Sequence, residues 1–157
     1  MSPDLKRRLL TAMTGGAVAI AAVLVQWNEG IRHKPYKDGG DVVTVCYGHT
    51  GKDVIPGKRY TDQECQALLD SDLKAAMAVV ETQVTVPLTE MQKAALASFV
   101  YNVGSGAFAR STLLKKLNSG DMPGACDEMR RWKYNEGKIS KGLINRRAVE
   151  RELCLPD

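Results

Sequence analysis

The sequence predicts an α+β fold in which a small antiparallel β-hairpin lobe faces a larger helical lobe, with a long helix joining the two. Three observations carry this expectation. A turn-rich, alternating stretch runs from His33 to Tyr60, a capping box opens the segment after it, and an almost wholly apolar run (Ala94, Leu96, Ala97, Phe99, Val100) marks a buried central helix. With 157 residues, 44% hydrophobic and 25% charged, the chain is long enough for one compact domain with a single core.

The first element is apolar. Lys6, Arg7 and Arg8 precede the uncharged run LLTAMTGGAVAIAAVLV, Leu9 to Val25, which has the basic flank and apolar body of an export signal, with the basic side cytoplasmic. As a helix rising about 1.5 Å per residue it reaches roughly 25 Å, slightly short of the ~30 Å hydrocarbon core. Its seven Leu, Ile and Val residues contribute roughly 3 kcal/mol of insertion energy, from which Thr11, Thr14, Gly15 and Gly16 subtract. Such a segment can enter a membrane and also leave it. Three other readings stand beside this one: a signal peptide cleaved after Ala17-Val18-Ala19 or Ala19-Ile20-Ala21, a permanent anchor, and a soluble core helix with Ile20, Leu24, Trp27 and Ile31 on one face. Two of them are compatible in time, as anchor before release and packed helix afterwards.

The hairpin comes next. Asp38-Gly39-Gly40-Asp41 separates PYK from the alternating VVTVCYG run and reads as its turn. Thr61-Asp62-Gln63-Glu64 then places a helix from about Asp62 towards Glu81, with Leu68, Leu69 and Leu73 turned inward. Pro87 and Thr89 open the central helix, and Gly104 and Gly106 end it. Shorter helices are expected from Ser111 to Asn118, from Asp121 to about Arg131 and from about Lys141 to Leu153, with KYNEGKISK as a polar loop before the last.

Cys46, Cys65, Cys126 and Cys154 all lie beyond the apolar run, so a translocated portion carries an even number of thiols, which fits two disulfides in an oxidising compartment. Four cysteines permit three connectivities, and sequence order suggests Cys46 with Cys65 and Cys126 with Cys154. The alternatives are buried thiols or metal ligands, but there is no Cys-x-x-Cys and only His33 and His49 could join a zinc site, so no metal or other cofactor is expected. The net charge of +4 admits an anionic partner, and eight basic residues against two acidic ones lie between Arg130 and Arg151. A glycan-peptide surface or a membrane fits this charge. Nucleic acid is not expected, because no stacking aromatics or recognition motif accompany it.

The residues with chemistry cluster early. Glu29 ends the first helical stretch, Asp38 starts the hairpin turn, and Thr44 lies on the next strand; a helix end facing a hairpin forms a cleft wall into which two acids can point. A proton donor paired with a second carboxylate is what glycoside hydrolysis requires. Asp41 is the rival for the second acid, and His49 reads as structural, since no serine or cysteine nucleophile arrangement attends it.

The segment WNEGIRHKPYKDGGDVVTVCYGHTG resembles the catalytic segment of the phage-type lysozymes, whose signature is Glu, eight residues, Asp or Cys, five residues, Thr, met here by Glu29, Asp38 and Thr44. Further likeness runs through TDQECQALLDSDL, SFVYNVGSGAFARSTLLKKLNSGD, GACDEMRRWKY and GLINRRAVERELC, and so covers nearly everything from Trp27 onward. The apolar start and the cysteine positions are similar to the signal-anchor-release endolysins of that family. The resemblance implies a lysozyme-like fold and hydrolysis of the β-1,4 bond between N-acetylmuramic acid and N-acetylglucosamine, with inversion at the anomeric carbon. Glu29 would be the general acid, Asp38 would activate the water, and Thr44 would help position it. Arg146 occupies the place of a family arginine set against the catalytic Glu, with Arg147 as the fallback, and Asn102 is a candidate for substrate contact.

The resulting expectation is a signal-anchor-release segment over residues 1–25 and a lysozyme-like catalytic domain over 26–157. The chain would be monomeric, exported, held at the inner membrane through residues 9–25 and released into the periplasm of a Gram-negative host to meet peptidoglycan. Two rival functions are kept in view: a lytic transglycosylase, which needs the Glu but no water-activating Asp, and a non-catalytic wall-binding or membrane-lesion factor.

Overall fold

The computed structural model describes residues 1–38 and 40–156, with every side chain among them except that of Asp38. Helix α1 (Pro3–Ala12) is capped by Ser2, whose hydroxyl accepts from the Leu5 N–H, and starts on Pro3, which has no N–H to leave unpaired. A 3-10 turn, Met13–Gly15, leads to α2 (Gly16–Glu29). The apolar run is therefore two helices rather than one. The break falls at Gly16, whose φ of +80° and ψ of −172° form a conformation open to glycine almost alone.

Both helices pack into the main core through Leu5, Leu9, Ala17, Ile20, Ala21, Leu24 and Val25. The expected helical face is correct for Ile20 and Leu24 and wrong beyond them. Trp27 is 41% exposed, with the Arg8 guanidinium 5.4 Å from its ring centroid. Ile31 lies past the helix end at Gly30, where φ turns positive, and packs instead against the smaller core of the sheet lobe.

Strands β1 (Arg32–Asp38), β2 (Val42–Cys46) and β3 (His49–Thr50) form an antiparallel sheet in that order, with an irregularity between Arg32 and Tyr36. The predicted turn joins β1 to β2, although Gly39 lies outside the described residues. Asp41 belongs to this turn, fully exposed at φ +46° and 3.9 Å from Lys37. Val45, Cys46, Val54, Tyr60 and Cys65 form the small core beneath the sheet.

Helix α3 (Asp62–Gln83) joins the lobes and begins on the predicted capping box, Thr61 with Glu64. Leu69 and Leu73 face the main core, whereas Leu68 is only partly buried and turns to the sheet's cluster. A second capping box, Thr89 with Gln92, starts α4 (Glu90–Val103), whose residues Ala94 to Val100 are all buried among α2, α3 and the last helix. Gly104 ends α4, but Gly106 does not: it sits inside a short further helix, α5 (Ser105–Ala109).

Helix α6 (Thr112–Asn118) is capped by Ser111, and α7 (Met122–Glu128) by Asp121 before a 3-10 turn, Met129–Arg131. The KYNEGKISK stretch is not a loop. It folds as a hairpin of β4 (Tyr134–Asn135) and β5 (Lys138–Ile139) because Glu136 and Gly137, at φ +50° and +79°, make the left-handed two-residue turn that matches strand twist. Helix α8 (Lys141–Cys154), capped by Ser140, closes the fold against α4. The disulfides are Cys46–Cys65, which ties β2 to α3, and Cys126–Cys154, which ties α7 to α8.

Candidate active site

Glu29 is the last residue of α2, and the chain turns sharply after it at Gly30, so its side chain stands at the helix end beside the sheet lobe. The carboxyl is 31% exposed and opens on a groove of about 620 Å³, whose walls include Asn102, Arg131, Trp132, Tyr134 and Arg146. The β4–β5 hairpin thus forms one side of the groove. On the sheet side the acid is met by Gly48: a Cβ there would lie 3.6 Å from Glu29 Oε2 and 3.6 Å from the Tyr101 hydroxyl. A side chain at 48 would therefore enter the space in front of the acid.

Arg146 is 2% exposed, a buried cation and not a surface one. Its Nη1 donates to Glu29 Oε1 at 2.5 Å, Nη2 donates to the Ser98 carbonyl at 3.2 Å, and Nε donates to Glu150 Oε2 at 3.4 Å. Arg147 points elsewhere. Its Nη2 donates to Asn102 Oδ1 at 2.6 Å and its guanidinium lies 4.9 Å from the Phe99 ring centroid, while burial pushes its pKa down to about 10 against the pull of Glu150. Asn102 therefore lines the groove with its oxygen already engaged.

Thr44 is buried at 4% in β2, paired with Tyr36 on one side and Thr50 on the other. The Asp38 backbone pairs with Val42 in the same sheet, and its side chain lies outside the described residues. Of the predicted site residues, Glu29 and Arg146 are thus in direct contact, Asn102 shares their groove, and Thr44 sits in the strand leading to the turn that carries Gly48.

His49 is structural, as its surroundings show. Its Nδ1 lies 2.7 Å from Asp72 on α3 and its Nε2 3.1 Å from Asp53, which pins β3 to the long helix. Burial lowers its proton affinity, but the two carboxylates outweigh that and raise the pKa.

Ser98, Tyr101 and Glu150 went unnoticed in the sequence. Tyr101 donates to the Tyr47 carbonyl at 2.7 Å and bridges α4 to the sheet lobe; burial, with Asp72 and Glu29 nearby, holds its hydroxyl firmly protonated. Glu150 had a legible signal, standing four residues after Arg146 and three after Arg147, the ion-pair spacing of a helix. Ser98 and Tyr101 lie in or beside an apolar run that gives no local sign of them.

The phage lysozyme family model matches residues 26–150 of this chain. The SAR-endolysin of Bacteriophage PS119 is 53% identical over 161 residues, covering 99% of this chain and 96% of that one. The SAR-endolysin of Enterobacteria phage P21 is 48% identical, covering 99% and 98% respectively. Among solved structures, the muramidase domain of SpmX from Asticaccaulis excentricus superposes with a TM-score of 0.80 at 33% identity, over 87% of this chain and 95% of that one. With sequence, fold and groove in agreement, this chain belongs to the phage lysozyme family and is a glycoside hydrolase.

Proposed function

We propose that this lysozyme is an endolysin that cleaves the β-1,4 bond between N-acetylmuramic acid and N-acetylglucosamine in peptidoglycan, with inversion, to lyse the host. The observation that carries the proposal is the setting of Glu29: a partly buried carboxyl at a helix end, opening on a groove lined by polar residues. In this reading Glu29 protonates the leaving glycosidic oxygen. Arg146, in direct contact with the carboxyl, steadies the carboxylate left once that proton has been given up. Asp38 activates the water on the opposite sugar face and Thr44 positions it, which for inversion requires carboxyl groups roughly 6.5 to 9.5 Å apart. Asn102, held by Arg147, offers its amide nitrogen to the substrate.

Residues 1–25 act as the signal-anchor-release segment and 26–157 as the catalytic domain. Before release the apolar run holds the monomer at the inner membrane; after release α1 and α2 pack on the domain in the periplasm. The burial of Ile20, Ala21, Leu24 and Val25 supports this, since the residues that would face lipid also complete the core.

The test is Glu29→Gln beside the parent on purified peptidoglycan, with mass analysis of the digest. Loss of turnover by about 10²- to 10⁴-fold, with hydrated reducing ends from the parent, is expected. Retained wall clearing by the variant would point to a lesion factor, and anhydro-sugar ends to a transglycosylase.

A further inference from the structure

The interface between α4 and α8 holds three charged side chains where apolar ones would pack. Arg146, Arg147 and Glu150 are 2%, 0% and 0% exposed, in contact with Phe99 and Ser98. A buried ion cluster of this kind is seldom kept for stability, because apolar residues of equal volume serve as well or better. What the cluster does do is define Arg146. Glu150 Oε2 accepts from Arg146 Nε and, at 2.7 Å, from the Ser98 hydroxyl, so that one edge of the guanidinium is fixed by Glu150 and Ser98 while the other meets Glu29.

Charge matters in the second contact. Glu150 Oε1 lies 3.0 Å from Arg147 Nε, yet the two are not aligned for a hydrogen bond, and both atoms, with Arg147 Nη1, lack a hydrogen-bond partner among the described residues. Their interaction is Coulombic. Without Glu150, two buried guanidinium groups would have Glu29 as their nearest carboxylate; with it, the positive charge bearing on Glu29 is reduced.

We infer that Glu150 is a positioning residue for hydrolysis: with Arg147 as its counter-charge, it aims Arg146 at Glu29 and sets the upper pH limit of activity. The inference rests on Glu29 being the general acid, whose protonated form is lost on the alkaline side. The other groups on the sheet side of Glu29 among the described residues are unchanged in the variants below: Tyr101 on α4, and His49 with Asp72 and Asp53 beyond Gly48.

The experiment is the pH dependence of kcat on purified peptidoglycan for Glu150→Gln and Arg147→Gln, each first checked for folding by circular dichroism. Glu150→Gln keeps the shape but removes the negative charge, which favours an ionised Glu29. Its alkaline limb should move down by about one pH unit, with kcat at neutral pH falling roughly tenfold. KM should change much less than kcat. Arg147→Gln removes a positive charge and should move the limb up.

A folded Glu150→Gln enzyme whose alkaline limb coincides with the parent's, or lies above it, overturns the inference. If that variant does not fold, Arg147→Gln decides alone, and an unmoved or lowered limb overturns it. Activity surviving in Glu29→Gln would instead defeat the mechanism on which the inference rests, so the two failures are distinguishable.

Discussion

The Glu29–Arg146 pair is assembled from two helices that the fold holds in different ways. Helix α8 is covalently fixed by Cys126–Cys154, a crosslink spanning 28 residues and contributing about 3–4 kcal/mol, and its charged side chains Arg146, Arg147 and Glu150 hydrogen-bond to Ser98 and Asn102 of α4. Helix α2 has no crosslink. Apolar packing holds it, together with a contact at its start, where the Ala17 N–H donates to Glu90 Oε2 at 2.9 Å. Glu29 therefore stands on an element that no disulfide ties down and its guanidinium partner on one that is crosslinked, so withdrawing α2 would separate the pair and leave both disulfides in place. Ile20, Leu24 and Val25 are fully buried in the packed protein, so the same side chains that make the run apolar enough to enter lipid also fill the core.

The strongest way to break this contrast is to hold α2 away from the core. In the proposed anchored state, with residues 9–25 in lipid, Glu29 would stand only four residues beyond, about 6 Å of helix, and α2 could not also pack on α4. Turnover of the tethered protein should fall at least ~10²-fold below that of detergent-free released protein, the loss expected when a general acid is misplaced. Equal turnover would show that the acid does not depend on α2 docking.

A smaller perturbation acts on the break between α1 and α2. Gly16→Ala places a side chain where φ is +80°, costing the packed form about 1–3 kcal/mol, while an uninterrupted helix in the membrane gains about 1 kcal/mol from the same change. Space is not the issue, since the new Cβ would lie 3.6 Å from Glu90 Oε2, an ordinary contact. The released variant should denature at lower urea concentration and a smaller fraction should leave the membrane. An unchanged midpoint would show that Gly16 does not control the packed state.

The parts that were legible in the sequence are those written locally. Thr61 with Glu64 and the cap Thr89 mark helix starts by local side-chain chemistry, and both stand where expected; Gln92, which completes the second capping box, is what the structure adds. Glu29 and Arg146 were found through the family signature, not through spacing: 117 positions separate them, and only the packing of α2 and α8 on α4 brings them together. The failures have the same origin. Trp27 fits the helical period but points to solvent under Arg8, because the register of α2 is set by α4 and not by its own pattern. The β4–β5 hairpin escaped notice because its strands are two residues each, too short to show alternation, and its turn carries Glu where Asn or Asp would have announced it.

The smallest expected effect concerns a third kind of attachment, polar and neither covalent nor apolar, where His49 joins β3 to α3. Its pKa is raised above 6.5 in the folded protein because Asp72 and Asp53 outweigh its burial. A raised pKa means the folded state binds the proton more tightly than the unfolded chain. The stabilisation is therefore complete below about pH 6.5 and fades as pH rises through the folded value. Asp53 carries the opposite sign: His49 holds its pKa below 3.8, so its share is present above that value and lost in acid. Together they predict a link between the lobes that is strongest in mildly acidic solution. Urea denaturation at pH 5.5 and at pH 8.5 should show His49→Asn destabilised relative to the parent mainly at the lower pH. A gap of the same size at both would mean that His49 acts there by shape alone, with no contribution from its charge.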